Sequence, residues 1–109
     1  MAYDEGLAER LREVFSGRAD VVEKKMFGGV AYMMRGNMCC GIIGDALMAR
    51  VGAEQYAAAL RKDHARDKMG NMRPMKGFVY VEAAGIESDK ALRSWVKLCE
   101  KFVGTLPTQ

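Results

Sequence analysis

The sequence predicts an α+β fold in two layers, with helices packed on one face of a mostly antiparallel sheet and elements in the order α-β-β-β-β-α-β-α. Three observations predict it. Apolar residues recur at helical spacing near both ends of the chain. Between residues 21 and 51 the period shortens to two, punctuated by glycine-led turns. The chain has 109 residues, half of them apolar and only two of them proline, which suits a single domain over residues 1–109 with one core.

The first helix is read over residues 4–16, where Leu7, Leu11, Val14 and Phe15 share one face, Asp4 can cap the start and Gly17 can take the left-handed position after the last turn. Next, Val22, Lys24 and Met26 alternate with Val21, Glu23 and Lys25. Three further strands follow at Val30–Met34, Met38–Ile43 and Leu47–Val51. Gly36-Asn37 and Gly44-Asp45 lie between them as two-residue hairpin turns, and Gly28-Gly29 marks a tight turn or bulge. An alanine-rich stretch, Gly52–Leu60, forms a short second helix, and Gly77–Glu82 alternates as a fifth strand. Ser88 caps a last amphipathic helix bearing Leu92, Trp95, Val96, Cys99, Phe102 and Val103, which Gly104 and Pro107 end.

Composition narrows the function classes. No apolar run approaches the roughly 18 residues of a membrane span, and no signal-peptide core precedes the first helix, so neither a membrane partner nor secretion is expected. The three cysteines, Cys39, Cys40 and Cys99, are an odd set without a CxxC spacing, which points to free thiols and a cytoplasmic location. On a regular strand Cys39 and Cys40 face opposite ways and do not act together.

The charges are unevenly placed. Seventeen basic and fourteen acidic residues give +3. Residues 61–76 hold six of the bases, Arg61, Lys62, Arg66, Lys68, Arg73 and Lys76, against Asp63 and Asp67, or +4, leaving −1 for the other ninety-three residues. Such a cluster is the expected contact side for a protein partner or, more weakly, a nucleic acid. The same segment carries the only histidine, His64, and three of the nine methionines, Met69, Met72 and Met75. Flexible apolar side chains among cations suit a partner-contacting loop, or a loop folded back over the open sheet. Met34, Met38 and Met48 are expected to fill the core. If the uncovered sheet face is apolar, it is also a candidate homodimer surface.

Catalytic signals are sparse. There is no GxSxG elbow, no zinc spacing, no Walker A loop and no GxGxxG fingerprint, so no cofactor and no metal are expected. His64 near Asp63 and Asp67 leaves an alternative open: a small-ligand binder or enzyme using a pocket between the sheet and the 61–76 loop.

The segments Lys25-Met26-Phe27-Gly28-Gly29-Val30 and Gly36-Asn37-Met38 resemble the start of the TfoX N-terminal domain family. Asp45-Ala46-Leu47 with Arg50-Val51, then Arg73-Pro74-Met75-Lys76-Gly77-Phe78-Val79, and finally Ala91-Leu92 with Trp95-Val96, extend the resemblance to its short stand-alone members over roughly residues 5 to 104. It implies an α+β regulatory domain of the kind carried by regulators of natural competence, which act on transcription of DNA-uptake genes. The full-length regulators carry a second, C-terminal domain beyond the one resembled here. It implies no catalytic set. Of the shared positions, Met26, Phe27, Gly28, Gly29, Pro74 and Gly77 are expected to shape the backbone, and Arg73 and Lys76 to make contacts.

Overall fold

The computed structural model describes residues 3–26 and 28–109; the expectation for Phe27 falls outside them. The first helix, α1 (Glu5–Val14), begins where Asp4 takes extended backbone and its carboxylate accepts from the Gly6 and Leu7 N–H groups at 2.9 and 3.2 Å. Four strands follow, β1 (Val21–Met26), β2 (Gly29–Met34), β3 (Asn37–Ile43) and β4 (Ala46–Arg50), then α2 (Gly52–Leu60). After β5 (Ala65–Arg66) and β6 (Phe78–Val81), a 3₁₀ turn (Ala83–Ile86) leads into α3 (Asp89–Val103), whose start is capped by the Ser88 hydroxyl accepting from the Ala91 N–H at 3.0 Å.

Among the described residues the sheet has six strands, all pairs antiparallel, in the order β1-β2-β3-β4-β6-β5. The fold class and the element order read from the sequence are both found. One strand was not anticipated. β5 is two residues long, too short for any periodicity, and forms only because the basic segment folds back along β6.

One local expectation is corrected. The β2–β3 turn sits one residue earlier than expected: Met34 pairs with Asn37, so Arg35 and Gly36 are its central residues, at φ 50° and 83°. Positive φ at both centres is the primed geometry that strand twist demands. Asn37 is instead a buried strand residue, its amide donating to the Pro107 carbonyl at 2.9 Å. Gly104 ends α3 with right-handed backbone, φ −62°, and a further turn to Leu106 closes the helix.

The helices lie on one face of the sheet. Cross-strand partners share a face, so Val30, Tyr32 and Met34 of β2, Cys40 and Ile42 of β3, Leu47 and Ala49 of β4, and Val79 and Val81 of β6 form the helix-side layer. α1 contributes Leu7 and Leu11; α3 contributes Leu92, Trp95, Val96, Cys99 and Val103. Phe15 stacks on Tyr32 with ring centroids 5.6 Å apart, and the buried Tyr32 hydroxyl donates to the Ala8 carbonyl at 3.2 Å, tying α1 to β2.

The pairing of β2 with β3 slips between Tyr32 and Met33. Tyr32 opposes Cys40 and Met33 opposes Met38, so Cys39 is an extra residue on β3, a β-bulge. The bulge overturns the expectation that Cys39 and Cys40 face opposite ways. Both are fully buried in the helix-side core, where Cys99 of α3 joins them. Hydrogen bonding with Cys40 and Cys99 draws the Cys39 thiol down, while those bonds and then burial push Cys40 and Cys99 up. Of the three methionines expected in the core, only Met34 is there; Met38 and Met48 stand half-buried on the opposite face.

Candidate functional site

The face turned away from the helices is where chemistry is left unused. Its floor is shallow because Ala31 and Gly41 are paired directly across β2 and β3. A Cβ built on Gly41 would lie 3.2 Å from the Met48 methyl and 3.4 Å from the Met38 methyl, so thioether methyls close over the gap that the missing side chain leaves. Met26 and Met33 stand on the same face by register, as do Ile43 and Tyr80.

The segment after β5 returns across this face. Met72, Arg73, Pro74 and Met75 line a groove of about 680 Å³ together with Met26, Ile43, Met48 and Tyr80. The segment is held by a turn, Met72 N–H to the Met69 carbonyl at 3.1 Å, and by the Phe78 N–H to the Met75 carbonyl at 3.0 Å. It ends at Gly77, where φ is +98° and the backbone packs against Gly52, while the Gly77 carbonyl accepts from the Val51 and Gly52 N–H groups at 2.8 and 3.1 Å. Tyr80 and Ala31 are nearly inaccessible beneath it, whereas Met72 and Met75 keep 38% and 49% of their surface exposed. The groove is therefore apolar and walled by flexible side chains, with Arg73 the charged residue that lines it.

Three cations of the strands stand on this face, one of them, Arg66, paired with Glu82 at 2.8 Å. The charged strand residues that register places here are Lys24, Arg50 and Arg66. Glu23 faces the helices instead, where it accepts from Arg12 at 2.7 and 2.9 Å, and this pairing holds its carboxyl below the usual range. The Arg50 guanidinium lies 5.5 and 5.7 Å from the ring centres of Phe102 and Phe78 and donates to the Met38 carbonyl at 3.2 Å.

All six sequence-predicted contact residues are exposed, but they do not share one plane. Arg61 and Lys62 follow α2, and the Lys62 ammonium sits 5.8 Å from the Trp95 ring centre on the helix layer. Arg66 lies on the β5 edge and pairs with Glu82 at 2.8 Å. Lys68 lies beyond that edge, Arg73 lines the groove, and Lys76 precedes β6. The basic segment thus wraps from the helix layer round the sheet edge onto the open face. Among the described residues, Arg61, Lys62, Lys68, Arg73 and Lys76 have no carboxylate partner within ion-pair distance.

The shared motif positions are split likewise. Met26 ends β1 and lines the groove, Gly28 takes φ +77° in the β1–β2 turn, and Pro74 belongs to the segment over the groove. Gly29 opens β2, and a side chain there would run into the Ile42 carbonyl. His64 is exposed in left-handed backbone, φ 67°, and its carbonyl accepts from the Glu82 N–H at 2.9 Å. Among the described residues no group of His, Cys, Asp and Glu is arranged to hold a metal ion, and no helix is long and apolar enough to cross a membrane. The groove residues Ile43 and Tyr80 were not singled out from the sequence as site residues, and Met26 was read only as a motif position that shapes the backbone. Their signal is a methionine or apolar residue at alternate positions of neighbouring strands, and reading it requires the register.

A family model matches residues 13–103 of the 109, and its description is the TfoX N-terminal domain. No curated protein and no solved structure matched the chain.

Proposed function

Because this chain belongs to the TfoX N-terminal domain family, we propose that it is a non-enzymatic regulatory interaction domain of the competence-regulator type, working in the cytoplasm as a single domain. The observation that carries the contact side is the exposed basic segment, five of whose six cations lack an ion-pair partner among the described residues. Side chains of this kind meet polyanions, whether nucleic acid or an acidic protein surface, and their contacts weaken with salt. Lys24 and Arg73 on the open face carry no carboxylate partner among the described residues, which suits an acidic partner. Three free thiols suit a reducing compartment.

The test is an amide NMR titration with short single- and double-stranded DNA and with polyglutamate, at about 50 and 200 mM salt. Shifts clustered in residues 61–77 with at least one probe, weaker at the higher salt and lost in an Arg73→Glu/Lys76→Glu variant, are expected. Absence of shifts with every probe at the lower salt would remove the basic segment as a contact surface.

A second reading rests on a separate observation. The groove under residues 72–75, about 680 Å³ and almost wholly apolar in its lining, has the size of a small-ligand site, for which about 300–1,000 Å³ is usual. On this reading the domain binds a small molecule between the sheet and the basic loop.

A further inference from the structure

We propose that the methionine-walled groove binds a long-chain monocarboxylate, its alkyl chain lying over the Ala31–Gly41 floor and its carboxylate held by Arg73. The proposal rests on the small-ligand reading above and names the class of ligand.

The lining chooses the chemistry. Apart from Arg73 and the Tyr80 hydroxyl, the lining side chains, Met26, Ile43, Met48, Met72 and Met75 among them, offer no strong hydrogen-bonding group, and the floor strands spend their backbone groups on one another. A peptide or nucleotide in this groove would carry amides or base edges without partners, each one costly to desolvate. A ligand that is apolar along nearly its whole length meets no such cost. The single charged lining residue, Arg73, then sets one anionic group at one end, since a guanidinium matches a carboxylate in a two-pronged geometry. Lys24 on the same face adds to a field favourable to an anion, whereas Arg66 there is already paired with Glu82.

The walls permit entry. Met72 and Met75 are part-exposed on a segment anchored by short turns at either end, and the Met38 and Met48 methyls occupy the space over Gly41 that an alkyl chain would take. Unbranched thioethers change rotamer at low cost, so the groove deepens without moving a strand.

The test uses the full chain with ¹³C-methyl-labelled methionine and hexadecanoic acid below its micellar concentration. The Met26, Met38, Met48, Met72 and Met75 methyls are expected to shift, while Met34, buried on the helix side, stays fixed as an internal control. Arg73→Gln should weaken hexadecanoate binding about tenfold. That variant should leave the weaker binding of hexadecanol unchanged. Met75→Glu, at an exposed wall position, should abolish hexadecanoate binding while the far-ultraviolet circular dichroism is retained. Lys68→Glu should leave it intact and weaken only polyanion contact, because Lys68 lies outside the groove.

No methyl shifts with either ligand would overturn both the proposal and the small-ligand reading. Equal binding of hexadecanol and hexadecanoate would overturn the carboxylate assignment while leaving a ligand groove. Groove shifts produced by an acidic amphipathic peptide or by phosphatidylglycerol vesicles, but not by hexadecanoate, would overturn the proposal in favour of that partner.

Discussion

Cys39, Cys40 and Cys99 show how one residue's placement changes its chemistry. As neighbours on a regular strand, the first two would straddle the sheet; the bulge turns both toward α3 and into contact with Cys99. All three are fully buried free thiols. A thiol reacts as its thiolate and only where reagent can reach it, so none of the three should react with an aromatic disulfide reagent in the native state on the timescale of an exposed thiol. All three should react in denaturant, and one fast-reacting thiol in the native protein would show that the core opens there. The cluster was illegible in the sequence because a bulge leaves no periodic mark. Glycine was easier to read. The residue type alone announced positive φ at Gly28, Gly36 and Gly44, although it did not say which neighbour completes each turn, and Arg35 rather than Asn37 does so at the second.

Elements were legible where a cap and a period coincided. The ends of α2 agree with the sequence reading at Gly52 and Leu60, and the start of α3 follows Ser88 as its side chain dictates. α1 is a ten-residue helix, marginal by itself, and it persists because Leu7, Ala8 and Leu11 dock on the sheet and Asp4 satisfies two of its first N–H groups. Asp4→Ala should therefore cost about 1 kcal/mol in chemical denaturation, without a change in the denaturant slope. Asp4→Asn should recover most of that loss, because an amide oxygen can accept the same bonds. β5 stayed hidden for the opposite reason. Two residues carry no period, and its existence depends on Ala65 and Arg66 meeting Val81 and Tyr80 across a loop that local sequence does not steer.

At the scale of the whole molecule, the face that looked like a bare sheet is half roofed by residues 72–75, and that long-range return is what makes a groove of it. The sequence showed the methionines and Arg73 as separate positions along the chain; only the pairing of β1 through β4 and the return of residues 72–75 set them around one concavity. Charge also ties the layers together. Glu23 on β1 pairs with Arg12 on α1, and Asp20 and Glu100 share Arg18, so carboxylates bridge sheet, helix and connecting turn. Arg12 holds Glu23, and Arg18 holds Asp20, below their ordinary values of 4.5 and 3.8. A carboxylate whose folded pKa is depressed stabilises the fold above its unfolded value and loses that contribution as pH falls through the folded one. The melting temperature should thus fall as pH drops below about 4.5. Glu23→Gln should melt lower than the parent at pH 7 by a modest margin, since the pair is part-exposed, and the gap should narrow as pH falls from 7 to well below the carboxyl's ordinary 4.5. A gap of the same size at both ends of that range would mean that packing, not charge, accounts for it. The bulge on β3, finally, makes the chain's length adjustable at one place. Removing a residue from a regular strand turns everything on one side of the cut to the opposite face. Removing Cys39 instead leaves Met38 against Met33 and Cys40 against Tyr32 as successive regular pairs, so no other side chain changes face. A chain lacking Cys39 should fold, with a lowered melting temperature from the void left in the core, whereas one lacking Gly41 should not; the β2–β3 hairpin therefore holds a slot where insertion and deletion are tolerated inside a sheet.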